Sequence, residues 1–477
     1  MDQNVRDAIV MLDAPGSYTV QAEAGGGKTT LCMDVFEMNA DKTVVYLSFT
    51  KASVYDATEK YRSRGIVSEH AHTIKTFNSY CLAVLRQLGY TVPSVNEVVT
   101  FAKDLNLIYT HGTMKSQYNQ LIAYFKDLFM EKKELPAPAQ RFVDQCTDFN
   151  GKMTGKWDSY AFEMQFVLVY ICLCYRQDVI RPLGDVLIVD EVQDLDPFHL
   201  EILKLLPFDI KLFVGDSKQA IYAYDGRVNL FRTPFYKEMA YNFELNTTFR
   251  FGQEVCDLLY DDVHSASGNA TTYEAFDENN WCVDQPRTVI LVNSNNKLVE
   301  TTLSLIAQGN RVAIKRNRVG ILKSHFRERE RFLKRYEKQT DKYSQYAYGM
   351  KLKKDNHYLH VYASRAWDGI PKLLRELEDR SSNVSYYKNG DVLIETVHGF
   401  KGLEADNVYV TGSCSPFHTS TQGSWYDKNC LYNVALSRAT KTLYLSTAIL
   451  KDGKIVKPFT GEAKAYESVD IAKKRKR

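Results

Sequence analysis

The chain has 477 residues, 44% hydrophobic and 25% charged, the make-up of a folded globular protein with room for about three or four compact units. A net charge of +3 is close to neutral, so any nucleic-acid footprint must come from local clustering rather than from the overall balance. Nine scattered cysteines without a C-x-x-C pair speak against a disulfide scaffold, a zinc site or an iron–sulfur centre, and read as reduced thiols of a cytosolic or nuclear protein.

The N-terminal residues 1–12 are acidic and helix-like, without a signal-peptide pattern, and Pro15-Gly16 breaks them off. Val20 to Thr30, VQAEAGGGKTT, then reads as the end of a buried strand, a glycine-rich turn and the first turn of a helix. Gly25, Gly26 and Gly27 carry no Cβ, so the backbone can curl around a polyphosphate and aim its N–H groups inward, at the positive end of the following helix. Lys28 is placed to reach the β- and γ-phosphates, and Thr29, with Thr30 beside it, to hold Mg²⁺; Ala22 stands where the pattern G-x-x-x-x-G-K-[ST] has its first glycine. VVYLSFTKAS (44–53) is an apolar strand ending in a polar turn, with Phe49 at its tip either to stack on a nucleic-acid base or to pack in the core. HTIKTFNSYCLAVLR (72–86) opens a helix, and residues 89–165 continue as a helical insert. The apolar run Phe166 to Tyr175 is about half of what a bilayer needs, and reads as a buried helix.

VLIVDEVQD (186–194) supplies the partner of the glycine-rich turn. Four apolar residues, Val186 to Val189, form a strand buried on both faces, and Asp190 falls at its carboxyl end, where open α/β sheets bind ligands and where it could orient a Mg²⁺ shell. Glu191 is the candidate to orient and deprotonate an attacking water. A further strand, Leu212 to Val214, leads to Gln219, which either bonds a γ-phosphate or lies on the surface, and to Tyr222 and Tyr224. A second set of strands follows at 288–292, 311–314, 392–395, 407–410 and 443–446, alternating with helical stretches as a second parallel sheet does. Between them, residues 315–354 gather Lys315, Arg318, Arg327, Arg329, Arg331, Lys334 and Arg335 with interleaved Phe and Tyr, either a solvated helix face or a nucleic-acid surface. Lys473 to Arg477 are five consecutive cations, a mobile tail that serves as a nuclear-import signal or as a solvated arm.

The ordered series AEAGGGKT (22–29), SFTKAS (48–53), TFNSY (76–80), VDEVQD (189–194), VGDSKQAIYAYDG (214–226), LNTTFRFG (245–252), TVHGFKGLE (396–404) and YNVALSRA (432–439) resembles the motifs of superfamily 1 helicases of the UvrD, Rep and PcrA type. The wording of QAEAGGGKT, GDSKQAIYAYDG and FRFG is most like the F-box DNA helicase branch, with no F-box expected ahead of the motor. The resemblance implies an α/β protein of two RecA-like parallel-sheet P-loop domains. The first would comprise residues 1–88 and 166–243 around the helical insert; the second would comprise 244–325 and 386–455 around a small basic insert, 326–385, with a basic tail at 456–477. It implies ATP and Mg²⁺ as cofactors, single-stranded DNA and single-strand/duplex junctions as partners, and no membrane. Gln219 becomes a γ-phosphate sensor, Arg250 and Arg438 arginine fingers, Glu404 a ribose contact and Phe249 the adenine stack in place of a tyrosine. Phe49, Tyr224 and His398 fall at DNA-facing positions, joined by Arg327, Arg331, Lys334 and Arg335 of the basic insert.

The sequence departs from the pattern in places: the adenine-reading glutamine should fall at Val5, but the nearest glutamine is Gln3; Asn78 stands for a common histidine and Asp225 for a common arginine. The expectation is therefore an ATP-hydrolysing translocase and DNA helicase, 3′-to-5′, serving repair, recombination or replication. The alternatives are a 5′-to-3′ or RNA-directed superfamily 1 enzyme, or a single-strand-binding accessory protein.

Overall fold

The computed structural model describes residues 6–9, 14–88, 95–108, 112–131, 134–148, 162–175, 183–239, 241–267, 269, 272–279, 283, 285–315, 318–320, 323, 392–418, 423–451, 454–455 and 457–459. The chain divides into two compact units, Met1–Asn246 and Thr247–Arg477.

In the first unit the strands are β1 (Gly16–Ala22), β2 (Val44–Ser48), β3 (His72–Thr76), β4 (Gly184–Asp190), β5 (Phe208–Gly215) and β6 (Tyr241–Leu245). They lie in the order β3-β2-β4-β5-β1-β6, every pair parallel. The middle strands are buried on both faces because alternate residues supply two separate cores. Val45, Leu47, Leu187, Val189 and Phe213 face one; Val44, Tyr46, Ile188, Leu212 and Val214 face the other. The second of these cores is closed by α1 (Lys28–Met38), through Leu31, Cys32, Val35 and Phe36. Helix α2 (Lys51–Ser63) begins three residues past β2, with Thr50 accepting the Ser53 N–H as its N-cap.

Residues 72–76, expected as the opening of a helix, instead form the edge strand β3, and helix α3 (Phe77–Gln87) starts only after them. Thr76 ends the strand in extended geometry and caps the helix, its Oγ1 accepting the Ser79 N–H at 3.2 Å. The β-branched Thr73, Ile74 and Thr76 favour the pleat, and the cap marks the true helix start. Helices α4 (Val95–Asp104), α5 (Met114–Met130), α6 (Ala137–Asp148), α7 (Phe162–Tyr175) and α8 (Pro197–Leu205) complete the unit. Their buried residues, among them Val98, Tyr118, Phe125, Phe142 and Phe166, share one continuous core with the β2 and β4 faces, so the insert has no separate centre.

The second unit opens with a two-residue parallel pair, β7 (Thr247–Thr248) and β8 (His264–Ser265), around helix α9 (Gln253–Leu259). Its sheet is built from β9 (Thr272–Phe276), β10 (Thr288–Val292), β11 (Val312–Ile314), β12 (Val392–Thr396), β13 (Ala405–Val410) and β14 (Ala439–Ser446). The order is β11-β12-β10-β13-β14-β9, again all parallel. Helix α10 (Asn295–Ala307) packs Leu298, Val299 and Leu303 with Ile290, Val292, Val312 and Ile394. Helix α11 (Trp425–Leu436) starts at a capping box between Ser424 and Asp427 and leads into β14. Two RecA-like parallel α/β sheets are thus the architecture of the chain. Of the expected segments, Arg327, Arg331, Lys334, Arg335, the rest of 324–391 and the tail Lys473–Arg477 lie outside the described residues.

A candidate nucleotide site and a second arginine cluster

The glycine-rich turn sits between β1 and α1. Ala22 is the last residue of β1, paired in register with Leu245 and fully buried, so it lies in the strand before the loop and an alanine fits there. The curl begins after it: Gly25 and Gly27 have φ of 75° and 77°, which a side chain would strain, and the Gly26 N–H closes the turn on the Glu23 carbonyl at 2.8 Å. Gly27 is the N-cap of α1 and offers no side chain to the first-turn N–H groups, leaving them directed at whatever the loop holds. A Cβ on Gly27 would also meet Arg6 Nη2 at 2.6 Å, because that guanidinium reaches over to donate to the Gly26 carbonyl at 3.1 Å. The Lys28 ammonium lies over the loop, donating to the Ala22 carbonyl at 3.2 Å, and Thr29 and Thr30 are half-buried on the next positions of the helix.

Asp190 ends β4 and is 3% exposed. Its carboxylate is oriented from two sides: Tyr46 Oη donates to Oδ2 at 2.6 Å and the Glu191 N–H to Oδ1 at 2.9 Å. Burial, foremost, and the neighbouring Glu191 charge hold its pKa above the ordinary carboxylate range, against the pull of the Tyr46 hydrogen bond and Lys28. Glu191 takes a left-handed φ of 63°, uncommon for a residue with a side chain, and its Oε2 accepts from Gln193 Nε2 at 2.5 Å. Gln193 then accepts the Asp216 N–H at 3.1 Å, and Asp216 Oδ2 accepts from Gln219 Nε2 at 2.6 Å. Gly215 makes room for this chain, since a Cβ there would meet Gln193 Oε1 at 2.6 Å and Val192 Cγ2 at 2.9 Å. Lys28, Thr29, Asp190, Glu191 and Gln219 therefore all stand on the carboxyl-end side of one sheet, where parallel α/β sheets bind ligands.

The donors available to a metal there are a threonine hydroxyl and a carboxylate. Each Asp190 oxygen keeps a second lone pair beyond the hydrogen bond it accepts, which suits a hard cation that retains most of its water, as Mg²⁺ does. Among the described residues no three His, Cys, Asp or Glu side chains gather as a closed metal cage.

The second unit brings together the other expected residues. Arg250 Nε meets Glu404 Oε2 at 2.9 Å and its Nη1 donates to the Ser437 carbonyl at 3.1 Å. Arg438 is almost wholly buried; its Nε donates to the Val434 carbonyl at 2.8 Å and its Nη2 to Ser437 Oγ at 2.9 Å. Phe249, beside Arg250, is half exposed.

The aromatics expected to face DNA differ from one another. Tyr224 is 73% exposed on the turn Ala223–Asp225. Phe49 is partly buried, stacked on His199 with ring centroids 6.0 Å apart and planes 6° from parallel, and tilted against Phe77. Burial, foremost, holds His199 down to about 3, so its ring is a neutral plate beneath Phe49. His398 is half-buried on the one-turn helix Val397–Phe400. The basic run is corrected at its start: Lys315 and Arg318 turn to the fully buried Glu395, at 3.2 Å and 3.1 Å, instead of to solvent. Gly399 packs over that pair, where a Cβ would meet Glu395 Oε1 at 2.5 Å.

Sequence reasoning gives no role to Tyr46, Gln193, Glu23 or Lys218. Gln193 stands inside VDEVQD, where the question of what its amide holds could have found it. Tyr46, 144 residues before the carboxylate it orients, leaves no local signal.

An AAA domain family model matches residues 6–225, within the first unit, and the UvrD-like helicase C-terminal domain family matches residues 370–449, part of the second. Together these matches support a place among the UvrD-like superfamily 1 helicases. Within them it is related to F-box DNA helicase 1 of Gallus gallus, 23% identical over 492 residues that cover 90% of this chain and 47% of that protein. This UvrD-like chain thus spans about half the length of the curated relative it matches. A distant structural likeness is to the arterivirus nonstructural protein 10 helicase in complex with DNA, with 13% identity, 93% of this chain and 63% of that one covered, and a TM-score of 0.35.

Proposed function

We propose that this chain hydrolyses ATP to move 3′-to-5′ along single-stranded DNA and to open duplex at single-strand junctions, in repair, recombination or replication. The observation that carries the reading is the hydrogen-bonded series Glu191–Gln193–Asp216–Gln219 set beside the Lys28 loop. It joins the residue suited to orient an attacking water to the residue suited to sense the γ-phosphate, so that hydrolysis at one can be reported by the other.

In the proposed reaction the loop N–H groups and Lys28 bind the β- and γ-phosphates, which are the substrate's. Thr29 and Asp190 would hold Mg²⁺, which would supply neutralising positive charge to the β- and γ-phosphates. Glu191 accepts the proton of the attacking water; its left-handed backbone and the Gln193 hydrogen bond hold the carboxylate in one orientation. Arg250 and Arg438 are the cations proposed to meet the charge that develops on the transferring phosphate, with Glu404 on the ribose and Phe249 on the base. Tyr224, the most open aromatic of the first unit among the described residues, is proposed as a stacking platform for a base, an interaction worth about 1–3 kcal/mol.

Direction is tested by displacement of streptavidin from biotinylated single strands. ATP-dependent clearance of the 5′ end, and its loss in Tyr224→Ala with hydrolysis less affected, is the expected result. Preferential clearance of the 3′ end, or clearance of RNA alone, overturns the direction or the substrate.

A further inference from the structure

Glu23 lies in the turn between β1 and the three glycines, a position where a carboxylate is out of place beside a phosphate site. It is 4% exposed, its Oε1 meets Lys218 Nζ at 2.7 Å, and its Oε2 is buried without a hydrogen-bond partner. Its own carbonyl closes the loop on Gly26. Lys218 stands on the 3-10 turn Ser217–Gln219 that follows β5, the strand hydrogen-bonded directly to β1. The ion pair therefore ties the phosphate loop to the turn carrying Gln219, in addition to the tie that Gln193 makes between Glu191 and Asp216.

We propose that Glu23 is a positioning residue that couples the phosphate loop to the Gln219 turn through Lys218, and that its buried charge weakens nucleotide binding while supporting turnover. The inference rests on the nucleotide-hydrolysis reading above and goes on to name what regulates that site. The charged groups facing Glu23 are Asp216 and Lys218 from the β5 turn and Lys28 from the start of α1. Burial, foremost, and Asp216 push its pKa up to about 7, against the opposing pull of Lys218 and Lys28. Near neutral pH the group is thus divided between two forms. The ionised form opposes the arriving phosphates and competes for the Lys28 charge; the protonated form does neither but gives up the ion pair with Lys218. Nucleotide binding accordingly draws a proton onto Glu23.

The test compares nucleotide dissociation constants and phosphate release for the wild-type chain, Glu23→Gln, Lys218→Met and the double variant between pH 6 and 8. ATPγS serves as the binding probe and ATP as the substrate. Taking the ratio of wild-type to Glu23→Gln dissociation constants cancels the nucleotide's own titration. The ratio is expected near unity at pH 6 and to rise to about fivefold at pH 8, on the way to a limit of about tenfold, the equivalent of one unit of linked pKa shift. Turnover of Glu23→Gln falls over the same range in which its binding is tighter, a split that simple loosening of the loop does not produce. Lys218→Met moves the inflection of binding to higher pH, and the double variant behaves like Glu23→Gln alone. A ratio flat with pH, equal loss of binding and turnover, or additive effects of the two substitutions overturns the inference. Absence of nucleotide binding and hydrolysis in the wild-type chain would instead overturn the functional reading beneath it.

Discussion

Arg438 is the residue whose surroundings say most about its proposed work. Its guanidinium is buried and fixed by the Val434 carbonyl and Ser437 Oγ, while Arg250 shares Ser437 and carries the Glu404 ion pair. A cation held in this way is set in place before it meets any phosphate, so its removal should act on chemistry more than on affinity. Arg438→Ala is expected to lower kcat by about 10³ or more, as for other arginine fingers, with the nucleotide dissociation constant little changed. Steady-state phosphate release alongside binding titrations decides this; a raised KM with unchanged kcat would make Arg438 a binding residue only.

At the scale of elements, the cations near β11 fall into two groups with different expected effects. Lys315 and Arg318 neutralise the buried Glu395, and replacing both by Met leaves that carboxylate without either cation, a type of change that costs about 3–5 kcal/mol. That variant should melt at lower temperature with the salt dependence of DNA binding unaltered. Replacing Arg327, Arg329, Arg331, Lys334 and Arg335 by Gln should instead flatten the salt dependence, by about 0.7 in slope for each single-strand phosphate that is no longer neutralised. Binding titrations across salt concentrations separate the two, and an unchanged slope in the second variant would return that stretch to a solvated face. Burial also explains what is legible in the sequence. Strands β4, β10 and β12 read clearly because each holds an unbroken run of buried apolar residues, Val186–Val189, Val289–Val292 and Val392–Ile394. Strands β3, β6 and β9 lie at sheet edges with mostly half-buried or exposed residues, so they carry no hydrophobic run; β3 reads as part of the helix it precedes, and β6 and β9 leave no strand signal. The nucleotide stretches are readable because glycines, Lys28 and the carboxylates are local in sequence. Tyr46, Glu23 and Lys218 are not, because each acts on a residue far along the chain that only the parallel strand order brings near.

At the scale of the whole molecule, the chain is two parallel α/β units, of which the first carries the glycine-rich turn, Lys28, Asp190, Glu191 and Gln219, and the second Arg250 and Arg438. The proposed function then comes down to one coupling: ATP hydrolysis in the first unit is the event that single-stranded DNA controls. A bound strand that orders the Gln219 turn next to Tyr222 and Tyr224 would act on Glu191 through Asp216 and Gln193. The direct measurement is the rate of phosphate release with saturating ATP and Mg²⁺, with and without an unstructured DNA oligonucleotide, for the wild-type chain, Lys28→Ala and Glu191→Gln. DNA should raise the wild-type rate several-fold, Lys28→Ala should lose both nucleotide binding and hydrolysis, and Glu191→Gln should bind nucleotide without turning it over. A wild-type rate indifferent to DNA, or near-wild-type hydrolysis by Glu191→Gln, would contradict this coupling.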